Sequence, residues 1–158
     1  MTEIVPYHEE HYDALTSYIL DEEQSQFSLV PRQVLNNSDI MGLKNRFQYT
    51  IIHEKEIVGF FSLDFSSDLL TYSDNENAVL LRALSINPKF QGRGIAKSAM
   101  IELPAFVKQN FPKVDEIAFG VNATNENAYK LYLKTGYQDS GKIYEGVKGP
   151  QHIMLMKL

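Results

Sequence analysis

Cysteine is absent from this chain of 158 residues. That excludes thiolate nucleophiles, disulfides and cysteine-ligated zinc, and it leaves the redox compartment unmarked. Long apolar runs are absent too. The longest, such as Val79-Leu80-Leu81, fall far short of the ~20 residues a membrane helix needs. Positive charge is in deficit, with 15 Lys and Arg against 20 Asp and Glu for a net charge of −5. Such a balance argues against non-specific binding to nucleic acid or an anionic membrane. The opening Met1-Thr2-Glu3-Ile4-Val5-Pro6 is neither basic nor followed by an apolar core, so it does not read as a signal peptide. No linker, repeat or low-complexity tract interrupts the chain. What is present is an ordinary globular composition, 44% apolar and 22% charged, sufficient for one domain over residues 1–158 with a sizeable core. The expectation is a soluble, cytoplasmic protein, monomeric or homodimeric.

Residue periodicity alternates between helix and strand. Tyr12, Leu15, Tyr18 and Ile19 share one face of a helix over about 8–20. Phe47, Tyr49 and Ile51 alternate as a strand, and His53-Glu54-Lys55-Glu56 turns into a second strand from Ile57 to Phe65. Residues 78–86 are apolar on both strand faces except at Arg82 and Ser85, the mark of a central strand covered on two sides. A helix from about Gly94 to Gln109 would bury Ile95, Ala99, Leu103, Phe106 and Val107. Pro104 should kink it. Ile117 to Val121 reads as another buried strand, Ala128, Leu131 and Tyr132 as a short helix, and the stretches from Tyr137 and from Ile153 as closing strands. Gln24 to Asn45 and Ser66 to Asn77 read as loops. The pattern predicts a single α/β (α+β) domain.

The chemistry lies where the central strand ends. Leu84-Ser85-Ile86-Asn87-Pro88-Lys89-Phe90-Gln91-Gly92-Arg93-Gly94-Ile95-Ala96 runs from a buried strand through a turn into a helix. Gly92 and Gly94 let the backbone aim its N–H groups at one point. The first N–H groups of a helix have no internal partner, and the helix dipole adds positive charge there. A phosphate is the natural occupant, and Lys89, Arg93 and Lys97 add charge around it. A tight turn that caps a helix would carry the same glycines. A P-loop is ruled out because Gln91 stands at the first glycine and Ala96 precedes Lys97-Ser98. A dinucleotide fingerprint is ruled out because Lys97 stands where glycine or alanine is needed.

About thirty residues on comes Asn125-x-x-Ala128-x-x-Leu131-Tyr132-x-x-x-Gly136-Tyr137. Together the two segments resemble the GCN5-related N-acetyltransferase (GNAT) superfamily. The loop matches at Gln91, Gly94 and Ala96, and the later run is its companion motif. The resemblance implies a mixed, mostly antiparallel twisted sheet, with helices on both faces and a splayed central strand pair. It implies acetyl-coenzyme A as co-substrate, no metal, and a small-molecule or peptide amine as acceptor, acetylated by direct attack in a ternary complex. The alternative is an acyl-coenzyme A-binding or sensing module that lacks efficient turnover. By the same resemblance Gly92, Arg93, Gly94, Ile95, Ala96 and Lys97, beside Gln91, would hold the pyrophosphate. The backbone of Leu84, Ser85 and Ile86 would pair with the pantetheine arm, with Gly120 and Asn122 at the splay. Asn125 would contact the coenzyme near its thiol end, although asparagine also suits a helix cap.

Tyr132 is the candidate general acid, since a phenol with pKa about 10 keeps its proton at pH 7 and can give it to a thiolate. A core aromatic at that place is the other reading. The acceptor poses a second problem. An alkylammonium loses its proton at a cost of about 4.6 kcal/mol at pH 7, and many members of the family place a Glu on the central or following strand to relieve it. Arg82 and Gly120 take those places here. Glu76 or Asp64 acting through a water, or bulk solvent, remain as bases. Arg82 must be paired or reach a cavity, on an acceptor carboxylate or on a structural Asp or Glu. His8 and His11, three apart, read as solvated rather than as metal ligands. Asp21, Glu22, Glu23, Asp64, Asp68, Asp74 and Glu76 suggest an acidic rim favouring a cationic acceptor.

Overall fold

A computed structural model describes residues 1–20 and 29–158 of the chain. Strands β1 (Thr2–Pro6), β2 (Arg46–His53), β3 (Glu56–Asp64), β4 (Ala78–Ile86), β5 (Glu116–Asn122), β6 (Gln138–Gly146) and β7 (Gly149–Lys157) form one sheet in the order β1-β2-β3-β4-β5-β7-β6. Every neighbouring pair is antiparallel except β4–β5. That exception positions the site. The β4–β5 ladder holds only Ala78 to Leu80 against Glu116 to Ala118, whereas β5 stays paired to β7 along its whole length. Beyond Leu80 the two central strands part, as the resemblance implied.

Helix α5 (Ile95–Asn110) lies on one face and buries Ile95, Ala99, Leu103 and Val107 against Ile51, Phe61, Val79 and Ile117. It continues through Pro104 to Asn110. Helix α6 (Glu126–Lys134) joins it there, with Ala128 and Tyr132 packed on the same core. The opposite face is covered by shorter pieces: α1 (Tyr12–Thr16), α2 (Pro31–Leu35), α3 (Ser38–Met41) and α4 (Leu69–Tyr72). Leu15 and Val34 meet Phe60 there, and Leu69 meets Leu80 and Ala118. Among the described residues no helix is long and apolar enough to cross a membrane.

Three departures from the sequence reading have local causes. The first helix stops at Thr16 instead of running to 20, because the Thr16 and Ser17 hydroxyls bond back to the Tyr12 and Ala14 carbonyls at 2.8 and 2.6 Å. Such bonds compete with continuation, and Ile19 is left 64% exposed. The two segments expected as loops contain α2, α3 and α4. Pro31 opens α2 at a position where its missing N–H costs nothing, and the Asn37 carboxamide caps α3. Strand β1 was unforeseen; it is an edge strand that follows β2 from Thr2 to Pro6.

Candidate active site

The chain leaves β4 at Ile86 and makes a 3-10 turn over Pro88–Phe90, with the Asn87 side chain accepting the Lys89 N–H at 3.0 Å. Gln91 Nε2 then donates to the Ile86 carbonyl at 3.1 Å and ties the loop to the strand end. Gly92 and Gly94 take φ of +80° and +75°, and a Cβ at either would meet nothing within 4 Å. The loop therefore needs left-handed backbone and faces open space. Gly94 caps α5, and the first helical bond is Ser98 N–H to the Gly94 carbonyl at 3.0 Å. That leaves the N–H groups of Ile95, Ala96 and Lys97 directed out of the helix. A cavity of about 150 Å³ sits over them, lined by Ile86, Gln91, Gly92, Gly94, Ile95, Ala96 and Lys97, with Phe90 and Leu131. Arg93 is not in that lining; its guanidinium lies over the Phe90 ring, 5.5 Å from the centroid.

Next along β4, where it parts from β5, is a cavity of about 540 Å³. Leu84, Asn125 and Tyr132 line it, with Arg82, Gly120, Gln151, Asp68 and Arg46. Ser85 lines neither cavity, because its Oγ meets the Tyr18 hydroxyl at 2.9 Å in the core. Asn125 is the N-cap of α6, accepting the Ala128 N–H at 3.3 Å, and it also borders the cavity. Tyr132 packs edge-on against Phe119, centroids 4.8 Å apart, and no described residue hydrogen-bonds its hydroxyl. Burial pushes its pKa up to about 12, so the phenol keeps its proton across the physiological range.

The carboxylates end up elsewhere than the sequence reading put them. Asp64, a candidate base, is 1% exposed and bonded to Arg82 Nη1 at 2.9 Å and to the Ser66 N–H at 2.7 Å. Burial alone would raise its pKa, but the Ser66 and Arg82 donors outweigh that and hold it below the usual carboxylate range. A carboxylate held in this way is a poor base. Glu76 is exposed and outside the cavity lining. Arg82 also holds Asp68, at 2.7 Å, so it is structurally paired. Of the expected acidic rim, Asp21, Glu22 and Glu23 lie outside the described residues. Among the others only Asp68 borders the cavity, and Asp74 faces Lys142 at 3.5 Å. The described residues build no acidic rim. His11 Nδ1 meets Thr50 Oγ1 at 2.9 Å, and no three His, Asp or Glu among the described residues cluster as metal ligands.

Two features of the cavity escaped the sequence reading. Ala83 sits at φ +55° in a bulge where β4 spends an extra residue between the partners of Phe60 and Ser62. The bulge re-aims the strand at the splay, at the cost of left-handed strain that alanine does not advertise. The second is what fills the space at Gly120, a position the sequence had already singled out. The carboxamide of Gln151 fills the place a Cβ would take there, and Tyr72 Cε1 stands 3.0 Å from it. The gap on β5 is therefore occupied by a neighbour's side chain.

Against known families, residues 6–137 match the model described as the acetyltransferase (GNAT) family. The chain belongs to the GNAT acetyltransferases. A relative from Bacillus subtilis (strain 168), the uncharacterized N-acetyltransferase YbbJ, is 40% identical over 149 residues, 94% of this chain and 92% of its own. The N-acetylaspartate synthetase of Xenopus tropicalis is 30% identical over 87 residues, 54% of this chain and 31% of its own. Among solved structures, the aminoglycoside acetyltransferase AAC(6')-Ib in complex with coenzyme A superimposes with a TM-score of 0.79 at 14% identity, over 99% of this chain and 95% of that one. Spermidine N-acetyltransferase from Vibrio cholerae, in complex with CoA and spermine, gives a TM-score of 0.72 at 15% identity, over 99% and 95%. These structures share the GNAT fold. The reaction class of this GNAT chain is acetyl transfer from acetyl-coenzyme A to an amine, with no metal required.

Proposed function

We propose that the chain is a cytoplasmic N-acetyltransferase that holds acetyl-coenzyme A along the parted edge of β4 and acetylates a small-molecule amine by direct attack. One observation carries this reading. The two cavities follow one another along β4, with the left-handed glycine loop at one end and the unengaged Tyr132 hydroxyl at the other. The N–H groups of Ile95, Ala96 and Lys97 would take the pyrophosphate. The Leu84 to Ile86 backbone, on the side where β5 has left, would take the pantetheine arm. Small amines as acceptors accord with the names of structures sharing the fold, which act on aminoglycosides and spermidine.

Without cysteine no acetyl-cysteine can form, and direct attack of the amine on the thioester is the simplest route. The amine nitrogen bonds to the acetyl carbon as the carbon–sulfur bond breaks. Tyr132 gives its proton to the departing sulfur, and water accepts the proton shed by the amine. Burial raises the phenol pKa to about 12, so the proton is present for transfer throughout the physiological range.

A thiol-release assay with acetyl-coenzyme A and a panel of small amines tests the reading. Amine-dependent release is expected, and Tyr132→Phe should lower kcat by about 10²-fold while coenzyme affinity holds. Coenzyme binding without release for any amine would instead make the chain an acyl-coenzyme A-binding module. Equal turnover of Tyr132→Phe and the parent would return Tyr132 to the core.

A further inference from the structure

Arg46 opens β2, opposite Asp64 in the ladder, and lines the larger cavity. A guanidinium in such a wall is ordinarily met by a carboxylate, because a charge buried without partners is costly. Among the described residues Arg46 makes no hydrogen bond or ion pair, and its Nε is buried without an acceptor. The two carboxylates in its field are already engaged. Asp64 gives one oxygen to the Ser66 N–H at 2.7 Å and the other to Arg82 Nη1 at 2.9 Å. Asp68 gives its Oδ2 to the same Nη1 at 2.7 Å. Burial lowers the pKa of Arg46 and the Arg82 charge lowers it further, with Asp64 and Asp68 only partly offsetting them. A planar fork of donors left open in this way is complementary to a bidentate anion.

The coenzyme's phosphates do not supply that anion on the arrangement proposed above. They belong at the glycine loop, and the two cavities have no lining residue in common. Among the described residues no carboxylate is left to supply it, so an anion carried by the acceptor fits the place. Resting on the transferase reading, and taking the part of the larger cavity beyond Tyr132 and the pantetheine arm as the acceptor's place, we propose that the acceptor is a small amine bearing a carboxylate, an amino-acid-like molecule whose carboxylate docks on Arg46. The Arg82–Asp64–Asp68 cluster keeps the neighbouring carboxylates from closing that fork. Ile40 and Leu43 on the same wall offer apolar contact to the rest of the molecule. The proposal reverses the cationic acceptor expected from the acidic residues.

The test is kcat/KM for a series of α- and ω-amino acids, each paired with its own carboxamide and with the aminophosphonate of equal length. For α-amino acids the carboxamide has the less basic amine, so more of it is uncharged at neutral pH and chemistry alone favours it. Preference for the free acid must then come from binding. At least one acid should exceed its carboxamide by 10-fold or more, and Arg46→Met should lower that ratio by about 10²-fold, mostly through KM, as loss of a charge-assisted pair requires. Arg46→Lys should recover part of it. The ratio cancels any general loss of active protein, and the parent enzyme alone decides should the variants fail to fold. Acetylation of the carboxamides at or above the acids overturns the carboxylate and leaves the transferase reading intact. Preference for the phosphonate overturns it in favour of a different anion. Absence of both coenzyme binding and thiol release would overturn the transferase reading itself, and this one with it.

Discussion

The Tyr137 hydroxyl donates to the Met100 carbonyl at 2.9 Å, and that carbonyl is the one Pro104, four residues on, has no N–H to meet. Proline inside α5 orphans an acceptor one turn back, and both Met100 and Tyr137 are 1% exposed. The last aromatic of the second motif thereby completes the helix that carries the glycine loop. Tyr137→Phe should lower unfolding free energy by about 1–3 kcal/mol, the cost of a buried, unmet carbonyl. Pro104→Ala restores the N–H, so the same Tyr137→Phe change should cost about 1 kcal/mol less in that background. Denaturant midpoints of the four proteins measure the coupling. Strict additivity would mean that the hydroxyl and the proline act independently.

Gly94 separates backbone from electrostatic contributions at the loop. Its φ of +75° strains any side chain, yet a Cβ there meets nothing within 4 Å. Gly94→Ala should therefore cost about 1–2 kcal/mol of stability from left-handed strain with a small loss of coenzyme affinity. Gly94→Glu adds negative charge at the helix N-terminus where the pyrophosphate is proposed to sit, and calorimetry should show coenzyme A binding weakened at least tenfold beyond the alanine variant. Equal affinities for the two variants would move the phosphate site elsewhere.

Legibility in the sequence followed how directly a backbone demand shows in residue type. Gly92 and Gly94 are left-handed, and glycine announces it. The central strand was readable because Val79, Leu80 and Leu81 leave neither face polar. Ala83 is equally left-handed, but alanine carries no such mark, so the bulge that re-aims β4 was invisible. Elements of four or five residues such as α3 and α4 are too short to show a period and are held by what they pack against. Arg46 stood in a strand pattern with nothing to distinguish it. The role proposed for it becomes visible only when the β2–β3–β4 register gathers Arg46, Asp64 and Arg82. Conversely, of the acids close in sequence around 64–76, Asp64 and Asp68 converge on Arg82 while Asp74 and Glu76 lie exposed away from the cavity.

The pH dependence should show the missing base. Among the described residues Asp68 is the one carboxylate lining the larger cavity, and Arg82 holds it. Below the acceptor's own pKa only the neutral amine reacts, so kcat/KM should rise about tenfold per pH unit from neutrality. Because Tyr132 is pushed up to about 12, no alkaline fall from the phenol is expected before about pH 10. Gly120→Glu alone should leave the acid limb in place, since Gln151 occupies the space. Gly120→Glu with Gln151→Ala should shift that limb to lower pH. An acid limb in the parent enzyme that ignores the acceptor's pKa would reveal a base the described residues do not show.

The Asp64–Arg82 pair predicts how stability responds to acid. Burial opposes the charged form of Asp64, but the Ser66 N–H and Arg82 prevail and depress its pKa below the ordinary 3.8. A depressed folded-state pKa means the unfolded chain takes up the proton first as pH falls. The contribution to stability is therefore complete above the unfolded value and lost as pH drops through the folded one. Unfolding free energy should decline below about pH 4, the range in which carboxylates of the unfolded chain protonate. Asp64→Asn should cost about 1–3 kcal/mol at neutral pH, less than removal from a fully buried pair, because Arg82 is 34% exposed and keeps Asp68. The same variant should flatten the decline below pH 4, while Asp68→Asn, at a carboxylate 62% exposed, should barely alter it. An acid profile unchanged by Asp64→Asn would place the titrating group outside this pair.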